Sequence, residues 1–194
     1  VFSILIFENL LSNFLNHKVL GVTPENIGKI AIKKGIPTYL EYFNDSVVKK
    51  ILKNYGKAKV ICATNFFAHI EDTNSLIKNI KKILSNNGVF ISESHYLVGL
   101  IRDLQYDTIY HEHLRYYSLK SLNYLFKKYN LEIIHAKKIN THGGSIRVYA
   151  AHKNKFKIKL LSTNNNINKI YSQAIEFKVK NVLIANKNNY QKFK

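Results

Sequence analysis

The chain has 194 residues, 46% of them hydrophobic and 22% charged, which fits one globular domain with a core and excludes a disordered chain. Its single cysteine excludes a disulfide framework, and its opening apolar run, VFSILIF, is far shorter than the ~18 residues of a membrane span. The net charge of +18 comes from scattered lysines with only three arginines, so we expect no specific nucleic-acid partner.

The first half of the chain alternates between short apolar runs and helical patterns. Predicted strands cover residues 18–22, 36–40, 58–63 and 88–94, and predicted helices cover 23–35, 45–56 and 74–88. Thr23 is the expected N-cap of the first of these helices, followed by Pro24 at the first helical position. This alternation predicts an α/β fold with a parallel, doubly wound sheet.

The second half of the chain changes pattern. A helix is predicted over 118–130 with Ser118 as its cap, and strands over 131–139 and 145–153 flank the short loop NTHGG. Two strands joined so closely must pair antiparallel. A parallel sheet that ends in one antiparallel hairpin is the layout of the class I methyltransferases, which is a Rossmann-like fold. Beyond it, STNNNINK is predicted to be a linker and residues 170–194 one amphipathic helix.

Ligands of open α/β sheets bind beyond the carboxyl ends of the strands, so we searched that edge for chemistry. Four histidines, His69, His95, His113 and His142, are predicted to lie there and could converge. The other candidates at the same edge are Thr23, Tyr42, Phe43, Asn65, Ser94, Tyr96 and Ser145. Several imidazoles on one edge indicate a site for proton transfer better than any one of them does.

Four blocks of sequence carry a resemblance to a known family. They are VLGVTPENIGKIAIKKGIPT, TNFFAHI, YDTIYHEHLRYYSL and THGGSIRVY. With these blocks the chain, from about residue 18 to 152, resembles the nucleotide-sugar C-methyltransferases. Members of that family use S-adenosylmethionine to methylate a deoxysugar carbon next to a 4-keto group.

The resemblance implies roles for individual residues. His113 is expected to be the base that removes the acidic hydrogen next to the ketone, with Tyr110 and Glu112 orienting the substrate. The expected substrate contacts are Asn65, His69, Tyr96, His142, Ser145 and Arg147, with Arg147 a candidate for the diphosphate. The expected cofactor contacts are Thr23, Tyr42, Phe43 and Ala63. No bound metal is expected, because zinc in this family belongs to an N-terminal region that is not seen here.

The chain departs from the family at the cofactor site. The family carries an acidic residue where this chain has Thr23, and no glycine occurs before Gly21, so the glycine-rich loop and first strand are expected to be missing. The chain contains no methionine. We therefore expect a fragment, with residues 1–153 a partial catalytic domain and 154–194 a linker and helix leading to an absent C-terminal domain. As given, it is expected to be a weak enzyme.

Several alternatives stay open. The chain could methylate another keto substrate, or be a catalytically inactive remnant or a basic binding module. His111 and His113 could form a metal pair, although HEHLR is not the H-E-x-x-H of zinc peptidases. The single cysteine indicates a reducing compartment, so a cytoplasmic location is expected. The sequence does not indicate which sugar or nucleotide is bound, or the oligomeric state.

Overall fold

The structure is a computed structural model that describes residues 3–7, 19–140, 143–156, 160–163, 166–176 and 179–186. The chain divides into two compact units, Val1–Lys155 and Phe156–Lys194. The first unit is an α/β unit and contains the candidate site. In the described residues, no helix has the length and hydropathy needed to cross a membrane.

Seven strands form the sheet of the first unit, in the order β3-β2-β1-β4-β5-β7-β6. They are β1 (Ser3–Phe7), β2 (Val19–Val22), β3 (Thr38–Tyr39), β4 (Ala58–Thr64), β5 (Leu84–His95), β6 (Leu131–Ile139) and β7 (Ser145–His152). β2 is parallel to β3 and β4 to β5, while β7 pairs antiparallel with both β5 and β6. The parallel strands and the terminal antiparallel hairpin are therefore as predicted.

The strand β1 corrects the expectation that the central position would be vacant. Residues 3–7 lie between β2 and β4, pairing Ile4 with Val22 and Ile6 with Ile61. Their direction is antiparallel to both neighbours, so Phe7 lies beside Val19 at the amino end of β2. A reversed strand can still form both ladders, because backbone donors and acceptors occur on both edges of any strand.

The helices of this unit connect the strands. They are α1 (Ile27–Lys33), α2 (Asp45–Asn54), α3 (Thr73–Ile83), α4 (Leu97–Arg102) and α5 (Leu119–Lys128). Side chains cap three of them: Asn44 accepts from the backbone of Val47, Asp72 from that of Ser75, and Ser118 forms a capping box with Ser121. The predicted cap at Ser118 is confirmed. Such caps satisfy amide groups that have no partner within the helix.

Two predicted boundaries in this unit differ most from the structure. Helix α1 begins at Ile27 after Asn26, so Thr23 is not its N-cap; the Thr23 hydroxyl instead accepts from the Glu25 amide at 3.2 Å. Residues 84–87, predicted as the end of a helix, belong to β5. Pairing of Leu84 with Ala58 in β4 extends the strand there, which shows tertiary pairing prevailing over the local helical pattern.

One face of the sheet carries the hydrophobic core. Alternate residues of the central strands, including Ile61, Phe90 and Val148, are fully buried in this core together with residues from α2, α3 and α5. At its centre the rings of Phe67, Phe90 and Phe126 pack with centroids 5.9 to 6.1 Å apart.

The second unit differs from its prediction. Residues 170–194 were expected to form one helix, but the helix α6 covers Ile167–Glu176 and is followed by the strand β9 (Asn181–Ile184). β9 pairs in parallel with β8 (Leu160–Thr163), which occupies part of the predicted linker. The unit is thus a β-α-β arrangement. Residues 187–194 lie outside the described part of the chain.

Candidate active site

The carboxyl ends of β4 and β5 begin the site. Asn65 follows β4 with φ of 52°, a left-handed conformation, and its amide donates to the carbonyl of Glu93 in β5 at 2.8 Å. This turn leads into a short 3-10 helix, Phe67–His69, which brings His69 to the sheet edge. β5 ends at His95. The two strands thus supply two of the four predicted imidazoles.

The segment between α4 and α5 supplies the third imidazole. A second 3-10 helix covers Tyr106–Thr108, and a turn follows in which the His113 amide donates to the Tyr110 carbonyl at 3.0 Å. The next amide, that of Leu114, donates to the Ala68 carbonyl at 2.8 Å. This bond ties the segment to the 3-10 helix that carries His69.

Both ring nitrogens of His113 are hydrogen-bonded. Nδ1 lies 2.8 Å from the Thr108 carbonyl oxygen, and Nε2 lies 3.0 Å from the Tyr110 hydroxyl. A carbonyl oxygen can only accept, so a neutral His113 carries its proton on Nδ1 and accepts from Tyr110 at Nε2. His113 is also buried, with 8% of its surface exposed. The arrangement leaves the Nε2 lone pair as the basic site.

His69, His95 and His113 form one group, which we call the imidazole cluster. The His113 ring centroid is 4.8 Å from that of His69 and 5.0 Å from that of His95. Burial lowers the pKa of His69 below its usual value, and the neighbouring His113 lowers it further. Three of the four predicted edge histidines therefore meet in the structure. The fourth, His142, lies outside the described residues.

The remaining predicted residues around the cluster differ in their setting. Glu112 and His111 are exposed on the surface of the same turn, so His111 and His113 do not share a buried setting. Ser145 is 1% exposed and pairs with His95 across the β5–β7 ladder. Tyr96 follows His95 in the sequence, and its amide donates to the Gly144 carbonyl at 3.2 Å.

Arg147 is held by a carboxylate. Its Nε donates to Oε2 of Glu93 at 2.8 Å, and its second guanidinium nitrogen lies 2.7 Å from the same oxygen. The Glu93 side chain is only 7% exposed. The bond to Glu93, and a second one to Tyr149, raise the pKa of Arg147 above its ordinary value. The guanidinium thus balances a buried carboxylate within the sheet, and its expected contact with the diphosphate stays a prediction.

A cavity of about 500 Å³ lies beside the imidazole cluster, where β2 and β4 end. His69 lines it together with Val22, Pro24, Tyr42, Phe43 and Phe66. This volume is within the range of pockets that enclose drug-sized molecules. Its aromatic and apolar lining fits the flat adenine of S-adenosylmethionine, the cofactor that the family resemblance implies.

Two of the four residues expected at the cofactor do not line that cavity. Ala63 is fully buried and belongs to the hydrophobic core, and Thr23 is 3% exposed. Tyr42 and Phe43 do line it. Because β1 runs in the reverse direction, its last residue, Phe7, lies beside Val19 and Val60, at the sheet edge opposite to this cavity.

Sequence reasoning missed two groups that hold the base. The Thr108 carbonyl accepts from His113 and also from the Tyr116 hydroxyl, at 2.9 Å. Tyr116 was not among the predicted site residues. A backbone carbonyl has no signature in a sequence, but a tyrosine placed three residues from a predicted base was a signal for a hydrogen bond.

Two models of known protein families match parts of the chain. A family model described as a methyltransferase domain matches residues 11–136. A second model, described as 1-deoxy-D-xylulose 5-phosphate reductoisomerase, matches residues 143–194, which is less than half of the chain.

A curated relative matches the larger part of the chain. The chain is 36% identical to the C-methyltransferase NovU of Streptomyces niveus over 135 residues, which are 69% of this chain and 32% of that protein. The chain thus spans about a third of the length of this relative.

Solved structures share the fold. A SAM-dependent methyltransferase from Anabaena variabilis has a TM-score of 0.51 at 13% identity, with 69% of this chain and 68% of that chain covered. A SAM-dependent methyltransferase from Thermotoga maritima also has a TM-score of 0.51, at 15% identity, with 69% of this chain and 72% of that chain covered.

Proposed function

This chain belongs to the methyltransferase domain family, and we propose that it transfers a methyl group from S-adenosylmethionine to a carbon next to the keto group of a nucleotide-linked 4-keto-deoxysugar. The observation that carries the proposal is the double hydrogen bonding of His113, which leaves a buried imidazole with Nε2 as its basic atom. Likeness to a C-methyltransferase supports attack by carbon, the reaction for which such a base is needed.

The reaction begins with proton removal. Nε2 of His113 takes the hydrogen from the carbon next to the ketone, and the bond electrons move onto the keto oxygen to give an enolate. The Tyr110 hydroxyl, which donates to Nε2 before the reaction, is then released and donates to the enolate oxygen. His113 becomes an imidazolium, and its Nδ1–H keeps donating to the Thr108 carbonyl.

Thr108 and Tyr116 orient the base. The Thr108 carbonyl fixes the tautomer of His113, and the Tyr116 hydroxyl donates a second hydrogen bond to the same carbonyl. His69 lies beside His113 with a lowered pKa, so it is neutral at neutral pH and does not repel the imidazolium as a second cation would. The imidazole cluster is thus suited to hold one transferred proton.

The cofactor is S-adenosylmethionine, which supplies the electrophilic methyl group. Phe43, Phe66 and Tyr42 would hold its adenosine part in the 500 Å³ cavity. His69 lines this cavity and also contacts His113, so the cavity opens next to the base. His69 would therefore lie between the cofactor in the cavity and the enolate carbon next to His113.

The proposal is tested by hydrogen exchange at the substrate carbon, which needs the base but no methyl donor. The chain is mixed with a 4-keto-deoxysugar nucleotide in D₂O, and deuterium uptake next to the ketone is followed by mass spectrometry. We expect His113→Gln to slow enzyme-dependent uptake by about 10²–10⁴-fold, the usual contribution of a general base. His135→Gln, an exposed histidine on β6, is the matched control and should exchange at the unchanged rate. Equal rates in both variants would show that His113 is not the base.

A further inference from the structure

A second cavity, of about 290 Å³, lies at the end of the β6–β7 hairpin. Tyr96 and Ser145 line it, and both are direct neighbours of His95: Tyr96 in sequence and Ser145 across the β5–β7 ladder. The His95 ring packs against that of His113. We call this space the hairpin cavity. It therefore lies on the same sheet edge as the imidazole cluster, because two direct neighbours of His95 line it.

Positive charge borders the hairpin cavity. Lys138 and Arg102 line it, and the Lys138 ammonium lies 5.7 Å from the centre of the Tyr96 ring. This contact holds an exposed lysine over the cavity wall. Arg102 donates to both carboxylate oxygens of Asp103, at 2.6 and 2.7 Å, and Asp103 also lines the cavity. The lining thus carries two cations and one anion.

Two glycines complete the wall. Gly143 has φ of 73° and Gly144 has φ of 125°, conformations that other residues rarely adopt. The side chain of Gln105 donates to the Gly143 carbonyl at 2.6 Å, and a Cβ on Gly143 would lie only 2.7 Å from that side chain. A Cβ on Gly144 would meet nothing within 4 Å. The backbone at Gly144 is therefore open to close approach by a ligand.

We propose that the hairpin cavity binds the phosphate groups of the substrate, with Lys138 and Arg102 as the cationic contacts. The proposal rests on the proposed function, because in a nucleotide-linked sugar the phosphate sits on the ring itself, a few bonds from the keto carbon. A phosphate site must then lie beside the imidazole cluster, as this cavity does. Arg147 is a poorer candidate, because a phosphate contact there would strip the buried Glu93 of its cation.

Inorganic pyrophosphate is the probe for this site, and calorimetry at fixed salt is the measurement. Lys138→Gln should weaken its binding about tenfold or more, because a charge-assisted contact is lost. Lys137→Gln is the matched control: the same charge is removed from the preceding residue of β6, whose side chain points to the opposite face of the sheet. Its affinity should stay within about twofold of the original. Asp103→Asn should raise the affinity, because it frees Arg102.

The outcomes separate this site from the general positive charge of the chain. An equal loss in Lys137→Gln and Lys138→Gln would overturn the proposal, and so would the absence of saturable pyrophosphate binding. The test is also independent of the sugar chemistry. Lys138-dependent pyrophosphate binding without deuterium exchange at the sugar carbon would support the phosphate site and reject the proposed function. Deuterium exchange that depends on His113 but not on Lys138, with no pyrophosphate binding, would support the proposed function and reject the phosphate site.

Discussion

Replacing Arg147 by Met tests whether the Glu93–Arg147 pair is a structural ion pair. Glu93 lies in β5 and Arg147 opposite it in β7, so the pair crosses two neighbouring strands. The Met side chain keeps most of the aliphatic length of arginine and removes the guanidinium. The Glu93 carboxylate, whose side chain is 7% exposed, then loses the cation that neutralises it.

The size of the effect follows from the burial of the two partners. Removing one member of a fully buried ion pair costs about 3–5 kcal/mol, because the other charge is left uncompensated. The Arg147 side chain is 37% exposed, so water reaches part of this pair and the expected loss is smaller, about 2–3 kcal/mol. Arg102→Met is the control, because the Arg102–Asp103 side chains are 67% and 38% exposed. Such surface pairs contribute at most about 1 kcal/mol.

Urea denaturation at pH 7 gives the free energy of unfolding of each variant. The double variant Glu93→Gln/Arg147→Met should recover most of the lost stability, because it removes the stranded charge as well. Pyrophosphate affinity should be unchanged in Arg147→Met. The reasoning is refuted if Arg147→Met costs no more than Arg102→Met, or if the double variant is as unstable as the single one.

Three further measurements test the core and the titrating groups. Phe126→Ala should cost about 3–5 kcal/mol in urea denaturation, since the ring is fully buried against Phe67 and Phe90; a loss below 1 kcal/mol would contradict this packing. Burial lowers the pKa of His69 in the folded chain, so on acidification His69 is protonated in the unfolded chain before it is in the folded chain. The free energy of unfolding should therefore fall as the pH drops below about 6.5. His69→Gln should flatten that part of the pH–stability curve, and an unchanged slope would count against the assignment. Burial raises the pKa of Tyr117 to about 12, so stability should fall as the pH rises from about 10 towards that value, and Tyr117→Phe should reduce the fall, as followed by circular dichroism.

Local sequence patterns predicted much of the sheet and missed what long-range pairing decides. The alternation of apolar runs and helical patterns indicated β2 to β7 and the antiparallel hairpin correctly. The run VFSILIF was recognised as apolar, but its place between β2 and β4 depends on partners as far along the chain as Thr64, which pairs with Ser3. For the same reason the run NVLI was taken as helix, since four residues cannot distinguish a strand from a helical turn without their partner in β8.

The part of the candidate site that consists of side chains could be predicted from the sequence. The positions of His69, His95 and His113 after strands or in the YHEH block correctly indicated that they would meet. The tautomer of His113 could not be predicted, because a backbone carbonyl determines it. The pairing of Arg147 with Glu93 could not be predicted either, because it depends on the register of β5 against β7, which only the folded sheet determines.

The reversed strand β1 has a consequence for local opening of the molecule. Among the described residues, β1 is the only strand that joins the pair β2–β3 to the strands β4, β5, β7 and β6. When β1 detaches, the backbone amides of both flanking strands lose their ladder at once, while the β5–β7–β6 ladders stay closed. Amide hydrogens of β1, β2 and the facing edge of β4 should therefore exchange with solvent as one cooperative group, ahead of those in the hairpin.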